Sequence, residues 1–594
     1  MNVAGSDFTK LYKKQGVTRD ALRKLNREVF SHCQNRINIL LKKIKEVEDK
    51  HPSRENELVE NALQIELSEW LLRSVVIWRQ KSRELWLKLG DKNSKFFNLS
   101  TIIRRRSNNI DAIKKEDRTW IHESNQIRTL FRDSFVNLFT EDNICFPKHL
   151  EHLILPCITD EENEILQSIP TPEEIKTILF QMQDLKAPKP DGFPAFFYKH
   201  LWPTMGNKVV KAVTSFFIMG SMPREVNASL IVLIPKISNP TSINHFKPIS
   251  LCNVVYKIIS KLLVEKIRPL LDKMIYPTQL AFIPNRWIAE NQIIVQEVLH
   301  SFKTRKTKSG LMAIKLDLQK AYDRVNWNFL KAVLLHFGFN EIFTRWIIAC
   351  VSSMTFEVMV NGGKSESFKP SRGLRQGDPL SPYLFILGKE VLSRWIEHEL
   401  KLKKVVGIKT SISGPTISHV MYADDVVLFS KASSKDAASL VKTLEKYCRW
   451  LGQCINRNKS GVYFSKHTHS QAQRSIKSIL QVKSLKKEVV YLGAPMFLSR
   501  APSKDFAFSK ISSKQNLQVG EENVFLRQGG RLSSTQWHKL SLFIPCPLSI
   551  SQIRYATSWT QWLEGFGGSL INKRADLWLG ELGKNYATLE VMEA

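Results

Sequence analysis

Apolar residues return every three or four positions along the first hundred residues: Leu22, Leu25 and Val29, then Leu40, Leu41, Ile44 and Val47. That period predicts helix from about Asp20 to Leu99, with Leu22, Leu25 and Val29 on one packed face and a break at Pro52-Ser53. The second helix carries Leu67, Trp70, Leu71, Trp78, Leu85 and Trp86. In TPEEIKTIL, Thr171 can cap a helix, Pro172 fits its first position and Glu174 completes a capping box. KAPKPDGFP (186–194) is a loop by its prolines and glycine. At LIVLIPK (230–236) the pattern changes to a β-branched run closed by proline, which predicts a strand. LCNVVYKIISKLLVEKIRPLL then reads as helix up to Pro269.

In LMAIKLDLQKAYD (311–323) the period is two. Ile314, Leu316 and Leu318 share one face of a strand, and Ala313, Lys315 and Asp317 the other, so Asp317 points away from the apolar side. Asn326 can cap a helix bearing Trp327, Leu330, Leu334 and Phe337, which Gly338 ends. FEVMV followed by Asn361-Gly362 predicts a tight hairpin. RGLRQGDPLSP (372–382) is a loop feeding a helix, with Ser381 as cap and Pro382 in first position. Strand, helix, hairpin, helix and a further hairpin predict an α+β fold around a partly antiparallel sheet.

Charge narrows the function. The chain of 594 residues has 87 Lys and Arg against 56 Asp and Glu, a formal net charge of +31. Its length suggests about three or four domains. Its field favours a polyanionic partner, most often nucleic acid. Within IIRRRSNN (102–109), the adjacent Arg104, Arg105 and Arg106 suit phosphate, or else form a solvated basic loop. The cysteines make no C-x-x-C pair, which argues against a zinc module or a disulfide framework and suits a reducing compartment. The start lacks the apolar core of a signal peptide, and no run of about 18 apolar residues could span a bilayer. The expected location is nuclear or cytoplasmic, neither secreted nor membrane.

HVMYADDVVLF (419–429) sets Asp424 and Asp425 side by side between two apolar runs. Aspartate is unfavourable in strands, and burying it unpaired costs several kcal/mol (roughly) or forces protonation. Either this is an exposed hairpin tip, or something cationic is held there. If the strand of Asp317 neighbours the hairpin, three carboxylates meet and repel. Two Mg²⁺ ions, about 3.5–4 Å apart, would relieve that repulsion and support nucleotidyl transfer.

The neighbouring motifs resemble the reverse transcriptases of LINE-type (non-LTR) retrotransposons, most closely the plant elements. The resemblance runs from roughly Leu85 to Pro495, through WLKLGDKNSKFF, KAPKPDGFPAFFYKHLW, LIPK, FKPISLCNVVYKIISKLL, QLAFIPNR, KLDLQKAYDRVNW, GLRQGDPLSP, YADD, INRNKS and YLGAP in order. It implies a right-hand polymerase of fingers, palm and partial thumb behind an α-helical N-terminal extension. It also implies that Asp317 and Asp424 are metal ligands, with Asp425 completing the trio around two Mg²⁺ ions or, alternatively, Mn²⁺. Tyr322 would pack beneath the incoming sugar, Arg286 grip the triphosphate, and Gln376 and Gly377 lie along the templating base and the nascent pair. Lys459 would stand near the leaving pyrophosphate as general acid. The plain alternatives are a core role for Tyr322, an Arg286–Glu290 pair at helical spacing, and a surface lysine at 459.

The implied partners are template RNA, primer DNA and deoxynucleotide triphosphates. The implied layout is a basic helical connector over residues 1–110, a linker and the start of the fingers over 111–225, fingers and palm over 226–500, and a degraded or frame-altered thumb and tail over 501–594. An endonuclease expected ahead of the connector is missing from the pattern, which leaves open whether a separate endonuclease supplies nicking. Lys189, Lys247 and Asn285 depart from the family's usual glycine, arginine and glycine; asparagine tolerates a left-handed backbone better than most residues. The rival readings are a catalytically inactive relic that only binds nucleic acid, and a group II intron maturase. The tail beyond about residue 510 lacks a sustained helical period and is expected to be poorly organised.

Overall fold

The computed structural model describes residues 6–497, apart from 31–32, 52, 83–93, 142–149, 188, 305–309, 411–413 and 487. The expectation for the tail, and part of the WLKLGDKNSKFF motif, lie outside the described residues.

Helix begins earlier than the period suggested. Ser6 caps a helix over Asp7–Leu25 through its side chain, which accepts from the Thr9 N–H. Its packed face is Phe8, Leu11 and Gln15, set against the Trp202–Met219 helix. Leu22 and Leu25 are instead 45% and 47% exposed, because the helix has by then run past its partner. Cys33–Glu48 and Arg54–Ser82 form a helical hairpin flanking the expected break. The capping box at Thr171 and Glu174 is present, and Thr159 with Glu162 forms a second one.

Among the described residues, nine strands build the two larger sheets: β1 (Ala228–Pro235), β2 (Phe246–Cys252), β3 (Leu311–Leu316), β4 (Thr355–Val360), β5 (Gly363–Lys364), β6 (His419–Tyr422), β7 (Asp425–Lys431), β8 (Gly461–Phe464) and β9 (Lys483–Ser484). The first sheet has the order β2-β1-β4-β5, and the second β6-β7-β3-β8-β9. Both mix antiparallel with parallel pairing, and with the surrounding helices they make an α+β fold. β2 was not expected: its FKPISLC pairs with β1, and Asn253 separates it from the Val254–Ile267 helix. The β4–β5 turn has Asn361 at φ 49° and Gly362 at φ 81°, the left-handed pair that a tight hairpin requires. Asn361 also bridges to Ile110, accepting from its N–H at 2.9 Å and donating to its carbonyl at 2.8 Å.

The face of β3 opposite Ile314 and Leu316 is not open. Ala313 is buried with Val420, Val427 and Phe429 in a second apolar layer, so the sheet is covered on both sides and only its end is accessible. The Ser381–Lys401 helix packs beneath it, and every residue from Leu384 to Ser393 is buried. Ser381 does not cap this helix. It is the first helical residue, and the Asp378 carboxylate takes the Leu380 N–H instead. No described helix is long and apolar enough to cross a membrane.

Candidate active site

The register of the second sheet brings the acidic motifs together. β7 and β3 are antiparallel, with Val426 opposite Leu316, so the next residues along, Asp425 and Asp317, stand opposite each other. Tyr422 pairs with Asp425, which leaves Ala423 and Asp424 as a two-residue turn at the tip of the hairpin. Ala423 sits at φ 53°, a left-handed conformation that costs an alanine about 1 kcal/mol. Gln279 holds it there, its side-chain oxygen accepting the Ala423 N–H at 3.1 Å. Asp424 is exposed, Asp317 half-buried, and Asp425 retains 36% of its side-chain exposure.

The charges of the neighbouring carboxylates act on Asp425. Burial raises the Asp425 pKa, Lys315 opposes the rise, and the charges of Asp424 and Asp317 add to it. Lys315 Nζ lies 3.9 Å from the Asp425 carboxylate, a loose ion pair. Among the described residues no three His, Cys, Asp or Glu side chains converge as a ready metal cage. The donor set nonetheless fits Mg²⁺, a hard ion that commonly takes one or two carboxylates and completes its shell with water and substrate phosphate.

Tyr322 lies beside this cluster and stacks on Phe385, with ring centroids 4.5 Å apart and planes 12° from parallel. Its phenol pKa is raised by burial and then by Asp424. The Gln376 side chain donates to Asp323 at 3.0 Å, and its carbonyl accepts the Ser250 N–H at 2.7 Å. Gly377 has φ +108°, and a Cβ there would stand 3.0 Å from the Ser250 carbonyl, so its close approach in this structure is to β2. The turn bearing Lys459 is tied to β3: the Ser460 hydroxyl accepts the Asp317 N–H at 3.0 Å, and the Asn456 N–H donates to the Asp317 carbonyl at 2.8 Å. Lys459 itself is exposed, within electrostatic reach of Lys236.

Two predicted binding groups lie apart from the trio's own contacts. Arg286 donates to the carbonyls of Tyr276, Gln279 and Ile275 and to Asp272, at 2.7–3.1 Å. Its ion pair is with Asp272 rather than Glu290. Arg104, Arg105 and Arg106 are exposed on the last turn of a helix over Ser94–Ser107, not in a loop. Cations suit a helix C-terminus. Asn285 adopts φ 64°, the left-handed backbone that its side chain tolerates.

Sequence reasoning missed Asp323, Lys236 and Lys320. Asp323 is fully buried, which raises its pKa to about 6, and Lys320, Lys236 and Arg324 pull the other way. Lys236 closes the β1 run and Lys320 follows Asp317 by three, so both were visible as lysines flanking strand ends. Only the fold brings them to one carboxylate.

Residues 234–496 match the family model for reverse transcriptase (RNA-dependent DNA polymerase). The chain is 28% identical over 343 residues to the 149 kDa protein of transposon TX1 from Xenopus laevis, covering 57% of this chain and 26% of that one. It is 26% identical over 389 residues to the Pol polyprotein of the type-2 retrotransposable element R2DM from Drosophila melanogaster, covering 63% and 35%. A third relative, the RNA-directed DNA polymerase from the mobile element jockey of Drosophila melanogaster, is 24% identical over 353 residues, covering 57% and 36%. The chain thus spans about a quarter to a third of the length of these relatives.

Proposed function

We propose that this chain is an RNA-directed DNA polymerase of a non-LTR retrotransposon, copying element RNA into DNA from a primer at the target site. The observation that carries the reading is the juxtaposition of Asp317 and Asp425, with Asp424 beside Asp425 at the hairpin tip, inside the segment that matches reverse transcriptases. On this reading the five-stranded sheet is the palm and the four-stranded sheet belongs to the fingers.

Asp317 and Asp424 would hold Mg²⁺ with Asp425 beside them, and the bound ions would activate the primer hydroxyl and stabilise the pyrophosphate leaving group. The remaining residues bind and orient. The stacked ring of Tyr322 lies flat against Phe385 next to Asp424, where it would meet the sugar of the incoming nucleotide and clash with a 2′-hydroxyl. Gln376 is braced by Asp323 and by β2, which fixes the loop on which a templating base would rest. Lys236, Lys320 and Lys459 supply positive charge on the same side, suited to the triphosphate, with Lys459 the candidate proton donor to the leaving group. Arg286 would grip the triphosphate only by exchanging its present carbonyl partners. Arg104, Arg105 and Arg106, with the +31 net charge, would hold template RNA and primer DNA.

The test is primer extension on an RNA template with purified protein, deoxynucleotides and Mg²⁺. Extension that disappears with Asp424→Asn supports the reading. Template binding without any extension would replace it with that of an inactive, nucleic-acid-binding relic.

A further inference from the structure

Lys389 is wholly buried in the middle of the Ser381–Lys401 helix, and its ammonium has no hydrogen-bond partner. An isolated charge in such a place is strongly unfavourable. Something must compensate it, and the helix geometry points to what. Phe385, Lys389 and Ser393 are four residues apart and share one face. One end of that face is fixed by Phe385, stacked on Tyr322 beside Asp424. The other end is fixed by Ser393, whose hydroxyl is hydrogen-bonded to His419 Nε2 at 2.7 Å, where β6 begins. Lys389 is therefore bracketed beneath the hairpin that ends in Asp424 and Asp425. Tyr447 offers its ring face, 5.6 Å from the ammonium to the centroid. Burial lowers the Lys389 pKa to about 8, and Cys448, Asp424 and Asp425 are the groups that favour its charge.

We propose that Lys389 is an internal counter-cation to the carboxylate trio, a positioning residue that competes with divalent metal for the same negative field. The proposal rests on reading the trio as a metal site. Before metal arrives, the ammonium offsets the repulsion felt at Asp424 and Asp425 from behind the sheet, where solvent screens it little. When a dication enters from the open end, the same charge repels it. Metal alone then binds weakly, and the negative charge of a nucleotide triphosphate is needed to bring it in.

Mn²⁺ binding to the full chain, followed by electron paramagnetic resonance at pH 7 without nucleotide, tests this. Lys389→Met keeps the unbranched stem and removes the charge. Its affinity is expected to rise at least tenfold, because a unit charge about 10 Å from a dication at an effective dielectric near 20 is worth more than one decade in affinity. Asp424→Asn is expected to abolish that binding. Unchanged or weaker affinity in Lys389→Met overturns the proposal while leaving the metal site standing. Wild-type protein with no site that Asp424→Asn removes overturns the metal-site reading and the proposal with it. A merely structural lysine gives no gain in affinity, and if circular dichroism finds Lys389→Met unfolded, Lys389→Gln carries the same comparison.

Discussion

Asp378 lies just ahead of a helix and Asp424 at a hairpin tip, and their surroundings differ completely. Asp378 is 3% exposed, paired with Arg375 at 3.1 Å and hydrogen-bonded by Tyr256 and Ser260. The Arg375 guanidinium also donates to Asn227, Ser229 and the Cys350 carbonyl, and lies 3.9 Å from the Tyr256 ring centroid. Every oxygen of that carboxylate is committed. Asp424 is exposed, at the tip of a strained turn, with other carboxylates for neighbours. The first arrangement fixes a loop that carries Gln376 and Gly377; the second sets the Asp424 carboxylate in solvent at the hairpin tip.

The largest expected effect breaks the exposed member. Asp424→Asn should lower primer extension at least a hundredfold, on the order of what loss of one transition-state electrostatic group produces. Its unfolding free energy should stay within about 0.5 kcal/mol of wild type. Loss of fold together with activity would give Asp424 the same kind of role as Asp378.

Arg375→Met addresses the buried member. Leaving Asp378 uncompensated should cost about 3–5 kcal/mol in chemical denaturation. Changing both residues together, Arg375→Met with Asp378→Leu, should recover much of that loss. If the double variant is as unstable as the single one, the pair acts through its hydrogen bonds rather than its charge.

Asp323 lies between these extremes, buried but held by a neutral amide. Its folded pKa of about 6 is above the unfolded value, so its contribution to stability is complete below about pH 3.8 and is lost as pH rises through about 6. Asp323→Asn should flatten the stability profile between pH 4 and 7 by on the order of 2 kcal/mol. An identical slope in both proteins would assign the titration to another group, Asp191 and Glu390 being the buried candidates.

Tyr322→Ala gives the smallest expected change. Ribonucleotide incorporation relative to deoxynucleotide should rise about tenfold, since removing a clash is worth roughly 1–3 kcal/mol. Equal loss with both substrates would make Tyr322 a packing partner of Phe385 and nothing more.

Elements specified by local chemistry were legible in the sequence. Thr171 with Glu174 and Asn326 with Gly338 satisfy backbone groups within a few residues, and Asn361-Gly362 supplies the left-handed turn by itself, so no tertiary knowledge was needed. β2 was missed because FKPISLC runs straight into a helical pattern, and only pairing with β1 decides its conformation. The second apolar cover over β3 was missed because an alternating strand cannot reveal whether its other face meets water or another layer. Asp317, Asp424 and Asp425 stood out in the sequence because carboxylates beside apolar runs contradict their surroundings, and the register of β3 with β7 sets Asp317 opposite Asp425. Lys389 was not, since a lysine between apolar helical residues looks the same whether it reaches solvent or not.

The Asn361–Ile110 bridge has a consequence for synthesis. Its two ends are 251 residues apart in sequence, and the Ile110 backbone is satisfied by a turn that does not yet exist when Ile110 leaves the ribosome. At a synthesis rate of about 5–20 residues per second, the wait is roughly 13 to 50 s. Throughout that interval Ile110, Ile113 and Ile121, which end in the same apolar cluster as Phe356 and Val358 of β4, have no β4 to pack on. The nascent chain is therefore most open to capture by chaperones, or to mispairing with a second chain on the same messenger, before β4 and β5 emerge.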